Sequence, residues 1–71
     1  MLKELKLQEE YIKLDQLLKF VDIADSGGHA KIMILSGDVK VNNEIATQRG
    51  KKIRVGDIVE VGEVKIKVIE G

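Results

Sequence analysis

Cysteine, proline and tryptophan are absent from this chain of 71 residues, and aromatic residues are scarce, with one tyrosine and one phenylalanine. Without cysteine there is no disulfide, no thiolate nucleophile and no thiolate metal site, and a reducing compartment fits. Without proline nothing forces a helix break or a cis peptide bond. Tyr11 and Phe20 alone are too few for a platform that stacks successive bases of a single strand. No apolar stretch approaches the ~20 residues that span a bilayer. The opening segment, MLKELKLQEEYIKL, alternates leucine with charge and lacks the continuous apolar region of a signal peptide. These absences lead us to expect a cytoplasmic protein with no membrane partner.

Enzyme chemistry finds little support. His29 is the only histidine, so neither a relay nor a histidine metal cluster can be assembled. The glycines do not follow the spacing of dinucleotide-binding or phosphate-binding loops. Glu9 and Glu10 are paired carboxylates only in sequence, because adjacent residues do not face each other. So short a chain also has little room for an enclosed pocket. We expect no catalytic residues, no metal and no cofactor.

What is present is aliphatic. Hydrophobic residues make up 44% of the chain, most of them Val, Ile and Leu. That is enough for one core in a single domain over residues 1–71, where only about 60% of the unfolded surface is buried. The charge is balanced at twelve basic and twelve acidic residues, but unevenly placed. Residues 26–54 hold six basic against two acidic side chains, between flanks in which acids outnumber bases by two on each side. Such a split can steer a polyanion to one face of a neutral molecule.

Periodicity orders the elements. Leu5 and Leu7 alternate with charge, giving a first strand over 3–7. Leu14, Leu17, Leu18 and Val21 recur at helical spacing and mark a helix that stops before Asp22. A second helix opens at Ser26, whose hydroxyl suits an N-cap, and closes at Gly37, which suits a left-handed C-terminal cap. Its five apolar residues between Ala30 and Leu35 predict a largely buried helix. Beyond Gly37 the period becomes two: Val39 and Val41, then Ile53 and Val55, then Ile58, Val59 and Val61, then Val64, Ile66 and Val68. Turns fall at Asn42-Asn43, Gly56-Asp57 and Gly62-Glu63. The fold class is α+β, a single small domain in β-α-α-β-β-β order, with two short helices packed on a small, mainly antiparallel sheet.

Two features bear on function. The first turn of a helix has amides with no intrahelical partner and a positive dipole end, so an anion can bind there. Gly27 and Gly28 remove side chains from such a turn, and Lys31 lies one turn on. The pair is either a phosphate seat or merely a corner between two short helices. The segment Arg49-Gly50-Lys51-Lys52-Ile53-Arg54 is the densest cationic stretch; it presents its charges to a groove or is a solvated loop.

The residues Lys13-Leu14-Asp15, Leu17-Leu18, Ser26, Ala30-Lys31, Ile34, Gly37, Val39, Val41-Asn42 and Gly56-Asp57-Ile58 together resemble the RNA-binding domain first described in ribosomal small-subunit protein four, the alpha-L motif. The likeness covers residues 13–61. "Ser-Gly-Gly-x-Ala-Lys" and "Arg-Gly-Lys-Lys-Ile" are similar to the small, free-standing bacterial YaaA/YbcJ-like group. Where the wider family carries a basic residue after the serine this chain has Gly27, and where it carries Asn-Gly this chain has Asn42-Asn43. The resemblance implies a cytoplasmic, non-enzymatic module for structured RNA, whether ribosomal, transfer or a messenger hairpin, and we expect a monomer. The implied contacts are Lys13, Ser26, Gly27, Gly28, His29, Lys31, Lys40, Asn42, Asn43, Arg49, Lys51, Lys52 and Arg54. A protein partner docked on the same basic surface, and DNA, are the alternatives.

Overall fold

Alternation along the first strand settles which of its side chains enter the core. In the computed structural model, which describes residues 1–71, β1 (Leu2–Leu7) buries Leu5 and Leu7 and turns Glu4 and Lys6 outward. A two-residue strand follows, β2 (Ile12–Lys13), and runs directly into α1 (Leu14–Phe20). Leu14, Leu17 and Leu18 are fully buried on one side of α1, as the spacing of the leucines predicts. Then come α2 (Gly27–Leu35), β3 (Val39–Val41), β4 (Glu44–Ile45), β5 (Lys52–Ile53), β6 (Ile58–Val61) and β7 (Val64–Glu70).

Both helices stop in the same way. At α1, Asp22 takes a positive φ of 61° and its N–H reaches the Lys19 carbonyl, while the Ile23 N–H reaches Leu18. At α2, Gly37 takes φ 81°, its N–H reaches Ile34, and the Asp38 N–H reaches Met33. These paired bonds satisfy carbonyls that the helix end would otherwise leave open.

Five strands form one sheet in the order β1-β7-β6-β3-β4, and β2 with β5 forms a separate antiparallel ribbon. The connections β3–β4 and β6–β7 are two-residue hairpins. Asn42 and Asn43 both have positive φ (51° and 71°), the I′ geometry that matches strand twist. β1 pairs with β7 in parallel, whereas every other pairing is antiparallel. One sheet face carries Val39, Val41, Val59, Ile66, Val68, Leu5 and Leu7 into the core with α1 and α2. All fifteen buried residues are apolar. No helix is long and apolar enough to cross a membrane.

Three expectations need correction. The strand count is higher than β-α-α-β-β-β allows, because β2 and β4 are two residues each and too short to show a period. The alternation through Val55 does not continue as a strand. β5 ends at Ile53, because Asp57 folds the chain back by bonding the Arg54 N–H, and Val55 is left 48% exposed. The third correction concerns α2, which is not largely buried. Ala30 and Ile34 are inside and Met33 is half-buried, but Ile32 and Leu35 are 65% and 62% exposed. Its apolar residues surround the helix, and a two-layer domain covers only one side of it.

Candidate nucleic-acid interface

The basic segment is bolted to the start of α1 by main-chain bonds. The Leu14 N–H donates to the Lys51 carbonyl (2.9 Å) and the Asp15 N–H to the Arg49 carbonyl (3.0 Å). These carbonyls satisfy two of the amides that α1 cannot pair internally, since Lys13 at its N-cap offers no side-chain acceptor. The β2–β5 ribbon adds a second tie, setting Lys13 directly opposite Lys52 and Ile12 opposite the buried Ile53. A turn closed by the Lys51 N–H on the Gln48 carbonyl displays Arg49. The structure therefore sets Lys13, Lys52 and Arg54 together beside Tyr11, with Arg49 and Lys51 exposed in the adjoining turn, where Lys51 lines a separate hollow with Glu44 and Gln48; these five residues form the basic ridge.

The side chains of this ridge form no salt bridge, although Glu9 and Glu10 line a hollow with Lys13 and Glu44 lines one with Lys51. No lysine or arginine side-chain nitrogen has a carboxylate oxygen within 4.0 Å. Like charges directly opposite across a strand pair cost stability, and the β2–β5 register puts Lys13 opposite Lys52. Tyr11 softens the crowding: Lys52 Nζ lies over its ring, 4.9 Å from the centroid, and the Arg54 guanidinium lies 5.9 Å away. Tyr11 is the residue that sequence reasoning passed over. Its signal was position, two residues before Lys13 and opposite the basic segment, and not the count of aromatics.

The start of α2 is bare. Ser26 caps it, its Oγ accepting from the His29 N–H at 3.1 Å. His29 Nδ1 in turn accepts from the Asp25 N–H at 3.0 Å, so this side chain braces the corner. The amides of Gly27 and Gly28 have no partner within the protein. Neither glycine takes positive φ. A Cβ at Gly27 would meet nothing within 4 Å, and one at Gly28 only Ser26 Oγ at 3.9 Å, an ordinary contact. Neither backbone conformation nor packing at this corner calls for glycine. Lys31 is exposed one turn on.

The remaining candidates divide. Asn42 is committed internally: its Nδ2 donates to Asp57 Oδ1 (3.0 Å) and its Oδ1 accepts from the Ile58 N–H (3.0 Å). Asp57 Oδ2 also accepts from the Arg54 N–H at 2.8 Å, so one carboxylate ties the Asn42-Asn43 turn to the ridge. Asn43 is exposed beside it. Lys40 is set apart. Between the buried Val39 and Val41, it points to the outer sheet face, away from the helices, with Ile45 and Glu60 as its neighbours in register.

These features define a small two-layer α+β module with an unpaired cationic ridge and an open helix start. The S4 domain family matches residues 5–69, and the chain belongs to that family. It is 41% identical over 61 residues, 86% of each chain, to a Bacillus subtilis protein named as a probable ribosome maturation protein, RlbA. It is 34% identical to YbcJ of Escherichia coli over 59 residues, 83% of this chain and 84% of that one. The solution structure of YbcJ, described as having an alpha-L motif involved in RNA-binding, superposes with a TM-score of 0.65 at 31% identity, covering 96% of this chain and 85% of that one. Asn42, Asp57 and Ile58, which belong to separated stretches of the alpha-L pattern in the sequence, meet in one hydrogen-bonded cluster.

Proposed function

We propose that this protein is a non-enzymatic, monomeric RNA-binding module of the cytoplasm that holds folded RNA by its phosphate backbone. The observation that carries the reading is the set of Lys13, Arg49, Lys51, Lys52 and Arg54, tied to the start of α1 by main-chain bonds, with no carboxylate oxygen within 4.0 Å of any of their side-chain nitrogens. The unpartnered Gly27 and Gly28 amides, with Lys31 beyond them, are the second phosphate contact. Ser26 and His29 shape that turn, Asn43 meets the chain from the hairpin, and Asn42 holds the hairpin in place. Lys40, on the outer face, makes at most a peripheral contact. Family membership and the alpha-L relatives support RNA as the polyanion. Ribosomal RNA is favoured among folded RNAs by the likeness to a protein named for ribosome maturation.

Folded RNA suits this surface because the A-form major groove excludes side chains and leaves shape and backbone to be read. Fluorescence anisotropy with a labelled RNA hairpin tests the proposal. If about four phosphates are neutralised, affinity falls roughly 100-fold between 50 and 200 mM salt. A DNA hairpin of equal length competes more weakly. Binding indifferent to salt, or equal competition by DNA, would contradict the proposal.

A further inference from the structure

The two aromatic side chains of the protein, separated by nine positions and by a strand-to-helix junction, line the same groove. This groove, of about 430 Å³, runs between the end of β1 and the outer side of α1. That volume falls within the roughly 300–1,000 Å³ of sites that hold one small ligand. Leu7 and Ile12 supply apolar wall, Tyr11 and Phe20 supply rings, Gln16 supplies an amide that both donates and accepts, and Glu9 and Lys19 supply charge of opposite sign. Phe20 is 70% exposed although the core lies one turn away. Tyr11 belongs to both the groove and the ridge, because Lys52 and Arg54 sit against its ring.

The geometry points to a seat for one unpaired guanine of the bound RNA, stacked on the aromatic wall, with its phosphate on the Lys52–Arg54 side of Tyr11. This rests on the RNA-binding reading above and names a base that the phosphate contacts leave unspecified. A nucleotide has the division that this surface has: a flat apolar face, a polar edge and an anionic tail. An A-form helix cannot offer its base faces, so only an unpaired nucleotide of a loop, bulge or end fits. Of the four bases, guanine makes the fullest use of the two charges. A carboxylate such as Glu9 only accepts hydrogen bonds and an ammonium such as Lys19 only donates them. Guanine presents two adjacent N–H donors on its Watson–Crick edge, with a carbonyl acceptor beside them. Adenine and cytosine have one donor group beside a ring-nitrogen acceptor, and uracil has one donor between two acceptors. A single stacked base is also compatible with a chain that has too few rings to line up successive bases.

Tyr11 is the only tyrosine, so 3-fluorotyrosine labelling places a single ¹⁹F resonance at the groove. The labelled protein is titrated with a parent hairpin whose stem is fully paired and whose loop lacks guanine, and with versions of it carrying one bulged G, A, C or U, and affinities are taken by anisotropy. The bulged-G hairpin is expected to bind about tenfold tighter than the paired parent and to be the strongest shifter of the resonance. Phe20→Ala and Glu9→Gln change exposed side chains that the core does not need. Both should abolish the preference for G and leave binding to the paired parent intact. Equal affinity for all four bulges, or a G preference that survives both substitutions, would overturn the seat while leaving the phosphate interface standing. Failure of the paired parent to bind with the expected salt dependence would instead overturn the RNA-binding reading, and the seat with it.

Discussion

Replacing both Gly27 and Gly28 with alanine should make the protein more stable and a poorer RNA binder. The two effects have separate physical origins. In the folded chain both residues start α2 without positive φ, and the new Cβ atoms meet open space at position 27 and Ser26 Oγ at 3.9 Å at position 28. Alanine therefore fits without strain, and the Ser26 cap on the His29 N–H is retained. The unfolded chain, however, loses freedom, which is worth about 0.4–1 kcal/mol for each compatible glycine-to-alanine change. For a domain of this size each kcal/mol raises Tm by about 4–8 °C. The binding effect runs the other way. Two methyl groups would stand beside the two free amides and hold a phosphodiester off them. A hydrogen bond to a charged group is worth about 1.5–3 kcal/mol, so affinity for an RNA hairpin should fall at least tenfold. Thermal melting by circular dichroism and anisotropy on the same preparation read both quantities. Affinity that stayed level while Tm rose would mean that the glycines serve no phosphate; a fall in Tm would mean that the corner is tighter than described.

Other perturbations separate the ridge from the scaffold. Lys51→Glu with Lys52→Glu reverses two exposed, unpaired charges, so urea unfolding should change by less than about 0.5 kcal/mol, while RNA affinity falls at least tenfold and the salt slope flattens; retained affinity would remove the ridge from the interface. Asn42→Ala loses the acceptor for the Ile58 N–H and the donor to Asp57 and leaves alanine at φ 51°, which should cost about 2 kcal/mol in urea unfolding; a change within 0.5 kcal/mol would show that the clamp is not needed. Leu17→Ala opens a cavity at a fully buried position and should cost about 2–5 kcal/mol, enough to leave a domain this small largely unfolded by circular dichroism; a cooperative melt at an unchanged Tm would refute the core described here.

Much of the scaffold can be read along the chain because it depends on local chemistry. The leucine spacing of α1, the Ser26 cap, the Gly37 stop and the Asn42-Asn43 turn each follow from residues a few positions apart, and all four appear as expected. The overall burial of α2 does not. Its apolar residues are distributed around the helix, and only the position of the other layer decides that Ile34 is inside while Ile32 faces water. The candidate interface divides in the same way. The cationic segment and the bare helix start are visible as composition, but Asp57 reads only as a turn residue until Asn42 and Arg54 are brought beside it.

Local pattern, then, is enough for the identity of each helix and most strands, the face each strand buries and the places where the chain must turn, because period, capping and φ preference act over one or two turns of chain. Partner choice is not local. The parallel pairing of β1 with β7, the anchoring of the basic turn on the first amides of α1, and the placing of Tyr11 against Lys52 and in one groove with Phe20 all join residues that the sequence holds apart. Burying one shared core selects those neighbours, and no period along the chain encodes that selection.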